Sequence, residues 1–379
     1  MTVVYDTIVI GTGGIGSAAL YELAKRGSRV LGIDQFPPAH DRGSSHGRTR
    51  MIRQAYFEHV DYVPLLLRAY DLWDELERVA GERLFFRCGL VEIGPPQGIV
   101  IPGVLQSAQR HRLNVVELSA GECGSRFPQL RRPSDMLAVW EPQAGYLLVE
   151  ACVAAHLRKA RELGADYENA VVQDWTVRGD NVQVQVTGHG GSRTYFADRL
   201  VVCGGAWASR LLPEIGVPFR VLRKHLHWCA AQSPMHVRHG CPAFFYETAG
   251  GFFYGFPALD DAGVKVGEHS GGEQLPDPDR VARDVDPRDL QRVMEFVSRC
   301  LPFVAPRSTS HATCMYTMSP DENFVVGQHP AYEQVVIAAG LSGHGFKFAP
   351  ALGQALADLA RDGRTSLPIE FLRPDRWRL

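Results

Sequence analysis

The feature that most constrains the fold is the stretch from Val4 to Asp34, VYDTIVIGTGGIGSAALYELAKRGSRVLGID. Thr7 to Ile10 is a short, β-branched apolar run of the kind that forms a buried parallel strand. It runs into a G-x-G-x-x-G at Gly11, Gly13 and Gly16, with Gly14 and Ile15 between the last two. Ala19, Leu20, Leu23 and Ala24 then recur at helical spacing, and Gly27 stands where a helix C-cap favours φ > 0. Arg29 to Asp34 reads as a second strand ending in an acid, 18 residues after Gly16. The glycines let backbone approach a pyrophosphate at a helix N-terminus, where free N–H groups and the dipole favour anions. Asp34 is placed to accept hydrogen bonds from a ribose diol. A lone glycine motif is a weak sign. Strand, glycines, helix, strand and terminal acid in register point to a dinucleotide site rather than a tight turn, without separating NAD from FAD.

With 379 residues the chain can bury a large core, and two domains are expected. A net charge of −2 gives no footprint for nucleic acid or an anionic membrane. No apolar run reaches the roughly 18–20 residues of a spanning helix. The chain enters its first strand almost at once, leaving no room for a signal peptide, so a cytoplasmic protein is expected. The eight cysteines are scattered without C-x-x-C spacing, which argues against a zinc knuckle or disulfide framework and for buried small hydrophobes. His225 and His227 share a face of a predicted strand with no third ligand nearby in sequence. A packed or hydrogen-bonded pair is favoured there over a metal site, and no metal is expected.

Gln35 to Arg53 reads as a loop, with Ser44 to Gly47 starting a helix that sets Arg50 and Arg53 on one face. With Arg48 these form a predicted cationic edge beside the dinucleotide. Val63 to Val79 has the period of an amphipathic helix. Leu84 to Ile93 reads as a strand, Pro102 to Leu118 as a helix then a strand, Val149 to Glu162 as a helix, and Asp166 to Val186 as alternating short strands. Phe196 to Val202 leads into Cys203-Gly-Gly-Ala-Trp207, a second small-residue crossing and then a helix. Phe219 to Val266 is strand-rich and aromatic, Asp286 to Leu301 is an amphipathic helix, and Val335 to Ala339 is a buried strand. A glycine-rich segment, Gly340 to Phe348, precedes a last helix from about Ala349 to Arg361. The expected fold class is α/β with two domains, a Rossmann-like nucleotide domain carrying an inserted, mainly antiparallel β-sheet substrate domain. Residues 1–85, 146–215 and 314–379 are assigned to the first, and 86–145 with 216–313 to the second.

Over nearly its whole length the chain resembles the monomeric sarcosine oxidase and N-methyltryptophan oxidase family of FAD enzymes, related in fold to D-amino-acid oxidase. The resemblance rests on the N-terminal glycines, His46-Gly-Arg-Thr-Arg-Met-Ile-Arg53, Tyr62-Val-Pro64, Gly204-Gly-Ala-Trp207, Tyr254-Gly-Phe-Pro257, Lys265, His269, Cys314-Met-Tyr-Thr-Met-Ser-Pro-Asp-Glu322 and Gly340 to Phe348. It implies FAD linked through a cysteine thioether, with Cys314 at that position, and held also by Ser44, His46, Gly343, Gly345, Phe346 and Lys347. It implies oxidation of a secondary amine next to a carboxylate, then reoxidation by O₂ to give H₂O₂. Arg53 and Lys347 match its carboxylate-binding cations, and Arg50 the arginine against the flavin ring. Lys265 matches the lysine that assists oxygen, Tyr254 and His269 the substrate side, and Tyr316 the aromatic wall. Phe245 stands where sarcosine-specific members carry a methionine, and Ser45 replaces the first of a histidine pair. A bulkier or cyclic secondary amino acid is therefore as consistent as sarcosine, acted on by a monomer without nucleic acid or membrane. An FAD-dependent dehydrogenase passing electrons to a carrier and a non-catalytic flavin-binding protein are the alternatives. Lys265 and Cys314 argue against the first, and the presence of Arg53, Lys347 and Lys265 against the second.

Overall fold

The computed structural model describes residues 4–377. Val4–Ile10 is the centre of a seven-stranded sheet, parallel to Val30–Asp34 on one side and to the end of Gly191–Val202 on the other. Asp166–Arg178 extends the parallel set beyond Val30–Asp34, and Val335–Ala339 extends it beyond Gly191–Val202. Strands of this kind are buried on both faces, which is why their sequences read as continuous apolar runs. The helix Gly14–Lys25 covers one face and packs on Val149–Glu162 and Ala349–Asp362. The close approach to the last helix is set by Gly353, where a Cβ would meet the Ala18 backbone at 2.7 Å.

A nine-stranded sheet is built from two parts of the chain, Leu90–Gly94 with its neighbours and Arg220–Ala231 through Val304–Met318. Its one parallel joint among the described residues lies between Leu90–Gly94 and Ala243–Thr248, and sets Glu92 opposite Phe245. The helix Pro287–Cys300 packs on its outer face, where Phe296 lies against Phe244, Tyr246 and Phe253. The aromatic run is thus split by the two-residue period of a strand: Phe244, Tyr246 and Phe253 are core, while Phe245 and Tyr254 face the cleft between the sheets. A small third sheet joins Thr49–Ile52, Gly145–Leu148 and Phe85–Phe86.

Three local expectations need correction. No helix starts at Ser44: a turn with Arg48 at φ 71° leads into the extended strand Thr49–Ile52, so Arg50 and Arg53 are not on one helical face. The Glu150 carboxylate accepts the Gly47 and Arg48 N–H groups and so ties down this turn. The region from Asp166 holds two long strands, Asp166–Arg178 and Asn181–Gly188, rather than several short ones, since pairing with each other and with Gly191–Val202 sustains them. Leu84 to Ile93 is not one strand but two, Phe85–Phe86 and Leu90–Gly94, broken where Gly89 takes φ 76° beneath the Trp140 ring. No helix among the described residues is long and apolar enough to cross a membrane.

Candidate active site

A single cleft runs from the N-terminal glycines to the nine-stranded sheet, lined by Gly11 to Ile15, Asp34, Ser44, Arg50, Arg53, Phe245, Tyr254, His269, Tyr316 and Gly343 to Lys347. Its nucleotide end depends on missing side chains. Gly11 has φ 81° and a Cβ there would overlap the Cys203 carbonyl, while one at Gly16 would overlap the Gly11 carbonyl. A Cβ at Gly14 would meet the Phe346 ring at 2.8 Å. The N-cap of the first helix, Gly13, provides no side-chain cap, leaving backbone donors for an anion. Ser45, which sequence reasoning noted only as a departure, accepts the Gly14 N–H at 3.1 Å. Asp34 is buried and accepts from the Thr12 backbone at 2.7 Å and from Phe36 N at 3.1 Å.

Arg50 lines the cleft, and Cys314, His46 and Lys265 lie behind it rather than on the lining. Arg50 Nη2 lies 3.2 Å from Cys314 Sγ and 2.7 Å from the Ser44 carbonyl oxygen. Burial works to raise the Cys314 pKa, but Arg50, His46 and Lys265 outweigh it and bring it down to about 6. His46 is buried, and its Nε2 has no hydrogen-bond partner among the described residues. Lys265 is 2 % exposed, so the solvated lysine that strands commonly carry is not what is found. Its Nζ donates to Gly47 O at 2.6 Å, Thr49 O at 2.8 Å and Thr49 Oγ1 at 3.2 Å, the three acceptors an ammonium can satisfy. Burial and Arg50 oppose that charge and push its pKa well below the usual lysine value. Arg48 departs from the expected cationic edge: it reaches outward to an ion pair with Asp260.

At the far end Arg53 is buried, stacked between Tyr56 and Phe57 with its guanidinium carbon 4.5 and 4.4 Å from the ring centroids. It is not the free cation the sequence suggests. Glu58 accepts from its Nη2 with both oxygens at 2.8 Å, and Glu92 approaches its Nε at 3.3 Å. Lys347 Nζ donates to His344 O at 2.8 Å, and burial followed by Arg53 lowers its pKa to about 7. Tyr316 OH lies 3.3 Å from His269 Nδ1. Burial, with Lys224 next, lowers His269 to about 3, so its imidazole is neutral at ordinary pH. Phe245 packs on Phe57, with ring centroids 5.4 Å apart. Gly343 backs Tyr316, with which a Cβ would collide, and Gly345 backs Leu341.

Glu58, Glu92 and Glu141 are the residues sequence reasoning missed. Their signal was present: Glu92 and Glu141 are acids inside the otherwise apolar strands Leu90–Gly94 and Leu137–Glu141. Away from the cleft, the histidine pair is hydrogen-bonded: His225 Nδ1 lies 2.7 Å from His311 Nε2, and His227 Nε2 lies 3.0 Å from Asp289.

A parallel sheet with a glycine-cradled helix N-terminus, opening onto a chamber of buried cations, defines a dinucleotide-dependent oxidoreductase. The family DAO, FAD dependent oxidoreductase, matches residues 6–359. A monomeric sarcosine oxidase from Streptomyces avermitilis is 42% identical over 99% of this chain and 98% of its own length. An N-methyl-L-tryptophan oxidase from Salmonella dublin is 38% identical over 98% of this chain and 99% of its own. The structure of NikD, an unusual amino acid oxidase essential for nikkomycin biosynthesis, superposes with a TM-score of 0.85 at 26% identity, covering 98% of each chain. The chain belongs to the DAO family of FAD dependent oxidoreductases, together with the monomeric sarcosine oxidases and N-methyltryptophan oxidases. The residues present fit that cofactor: a cradle that Cβ atoms would fill, helix N-terminal donors of which Ser45 takes the Gly14 N–H, a buried acid for the ribose, and a thiol whose pKa Arg50 and His46 hold down.

Proposed function

We propose that the protein is an FAD-dependent oxidase of secondary amino acids, N-methyl or cyclic. The observation that carries this reading is the buried pair Arg53 and Lys347 at the end of a cleft that is also lined by the neutral His269 and Tyr254. An arginine fork suits a carboxylate, and the neighbouring lysine adds a second donor, so the two orient the substrate by its acid group. The amine then meets groups that do not hold it as an ammonium: burial lowers His269 to about 3 and raises Tyr254 to about 12. Phe245 and Phe57 close the wall with apolar surface and keep water from the reacting carbon. When bound, FAD supplies the acceptor for a hydride equivalent from the carbon next to nitrogen and returns the electrons to O₂ as H₂O₂.

Gly11, Gly13, Gly14, Ile15, Gly16 and Asp34 are proposed to hold the dinucleotide, with Ser44, His46, Gly343, Gly345 and Phe346 along its other end. Arg50 is assigned to the flavin ring, and Cys314 to a covalent link through its sulfur. A thiol brought to about 6 beside a guanidinium supports that link, since the thiolate is the nucleophile. Lys265 is the cation proposed to assist O₂. The division into a discontinuous cofactor domain (1–85, 146–215, 314–379) and a substrate domain (86–145, 216–313) belongs to the same reading, as does action by a monomer in the cytoplasm, where reducing conditions keep the thiol available. The test is H₂O₂ release by the purified yellow protein against a panel of N-methyl, cyclic and D-amino acids. Activity confined to primary amines would overturn the substrate class. Acid precipitation tests attachment separately: colour retained in the pellet is expected, and full release to the supernatant would remove the covalent link.

A further inference from the structure

Among the groups around Arg53, Glu92 has no role in the function proposed above. It is 0 % exposed, in a strand that is otherwise apolar, and its register opposite Phe245 turns it toward the cleft side of the sheet. Neither carboxyl oxygen has a hydrogen-bond partner among the described residues, and the same holds for Arg53 Nε and Nη1. The two groups approach at 3.3 Å without hydrogen-bond alignment. The other acids are better held. Glu58 accepts two bonds from Arg53, and Glu141 accepts the Gln54 and Ala55 backbone N–H groups at 2.6 and 3.1 Å.

The charged and titratable groups facing Glu92 come from every element packed on it: Arg53 and Glu58 from the segment after Thr49–Ile52, Glu141 from the adjoining strand, and Lys347 from the glycine-rich segment. Its partner strand contributes the apolar Phe245. Three carboxyl groups thus face one permanent cation, Arg53, and a lysine, Lys347, whose pKa burial and Arg53 lower to about 7. An anionic substrate adds a fourth negative charge in a water-poor place, and one acid must then be neutral. Glu92 is the acid whose ionised form nothing stabilises by a hydrogen bond.

Resting on the carboxylate site proposed above, we propose that Glu92 is a positioning residue that takes up a proton as the substrate carboxylate binds, leaving Arg53 free to face the substrate. The proton comes from solvent. Free protein with ionised Glu92, the carboxylate ligand and one proton give a complex with Glu92 neutral, and no electrons move. Burial raises the Glu92 pKa to about 8, so the uptake occurs at and above that pH, and below it Glu92 is already neutral in the free protein. Above that pH the ionised acid occupies Arg53 and repels the incoming anion, so affinity for carboxylates falls as pH rises.

The experiment is calorimetric titration of the FAD-loaded protein with acetate, a carboxylate without an amine of its own, at pH 8 in two buffers of different ionisation enthalpy. Acetamide is the neutral control. Wild-type protein is expected to take up about half a proton more than Glu92→Gln, and above pH 8 its acetate Kd should climb about ten-fold more per pH unit than the variant's. Lys347→Met should retain the Glu92 share of the uptake, and Glu141, whose pKa burial raises to about 7, contributes alike in wild type and Glu92→Gln, so the difference between those two isolates Glu92. Glu92→Leu, apolar and of similar volume, gives the same comparison if the amide is not tolerated. Uptake that survives in Glu92→Gln or Glu92→Leu would overturn the inference while leaving the carboxylate site standing. Failure of wild-type protein to bind acetate at all would remove that site, and this inference with it.

Discussion

The two ends of the cleft are built in opposite ways. The end at the N-terminal glycines is centred on one contiguous stretch, Val4 to Asp34, and its shape depends on side chains that are absent: Gly11, Gly14 and Gly16 each lie where a Cβ would strike neighbouring atoms. The far end, proposed to take a carboxylate, is assembled from distant pieces, Arg53 and Glu58, Glu92, Glu141 and Lys347, and its shape depends on ionisable groups mostly held out of water. The first tolerates an anion because helix donors are left open. The second holds cations only because buried acids surround them. A cradle of backbone breaks by steric intrusion, whereas a cluster of charges changes its affinity by degrees.

Gly11→Ala should break the contrast most severely. The added methyl enters the Cys203 carbonyl at a residue with φ 81°, so overpacking and left-handed strain act together. Loss of about 3 kcal/mol or more is expected, read as protein recovered without flavin absorbance or not recovered in soluble form.

Lys265→Met tests the layer behind Arg50, where backbone carbonyls hold a buried cation. Reoxidation by O₂ should slow by a hundred-fold or more, about 2.7 kcal/mol, with anaerobic reduction by substrate preserved within about ten-fold. Stopped-flow absorbance separates the two. Because burial and Arg50 push the Lys265 pKa down, the wild-type rate should fall as pH rises through that lowered value, and the variant should lose this slope.

At the carboxylate end, Arg53→Ala should cost about 1.5–3 kcal/mol, roughly ten- to a hundred-fold in kcat/KM for a carboxylate substrate. It leaves Glu58 and Glu92 without their counterion, so Arg53→Lys is the better-folded comparison. Equal kcat/KM in all three proteins would place the substrate elsewhere. The smallest effect is expected from Phe245→Met, which keeps apolar volume but loosens the contact with Phe57. Ratios of kcat/KM between small and bulky N-methyl amino acids should shift by less than about ten-fold, the range of a hydrophobic pocket changing by a methylene or so.

What the sequence determined by itself was everything that depends on near neighbours. Strand, glycine turn, helix and terminal acid are each set by local sterics and spacing, so the strand–helix–strand unit from Val4 to Asp34 was legible before any fold was known. The alternation along Phe244 to Phe256 was written there too, although only packing against Phe296 showed which face is core. The conformation before Arg50 differs from the local expectation because its partners lie about a hundred residues away: Glu150 accepts the Gly47 and Arg48 N–H groups, and Gly145–Leu148 pairs with Thr49–Ile52. Arg53 could be named but not its restraint, since Glu58 and Glu92 become its partners only through tertiary contact. The same holds for Lys265, which composition would leave in solvent and the fold buries against Gly47 and Thr49. The physical reason is common to these cases. Backbone geometry is a property of a few adjacent residues, whereas the cost of burying a charge and the groups that offset it depend on which distant segments are brought within a few ångströms.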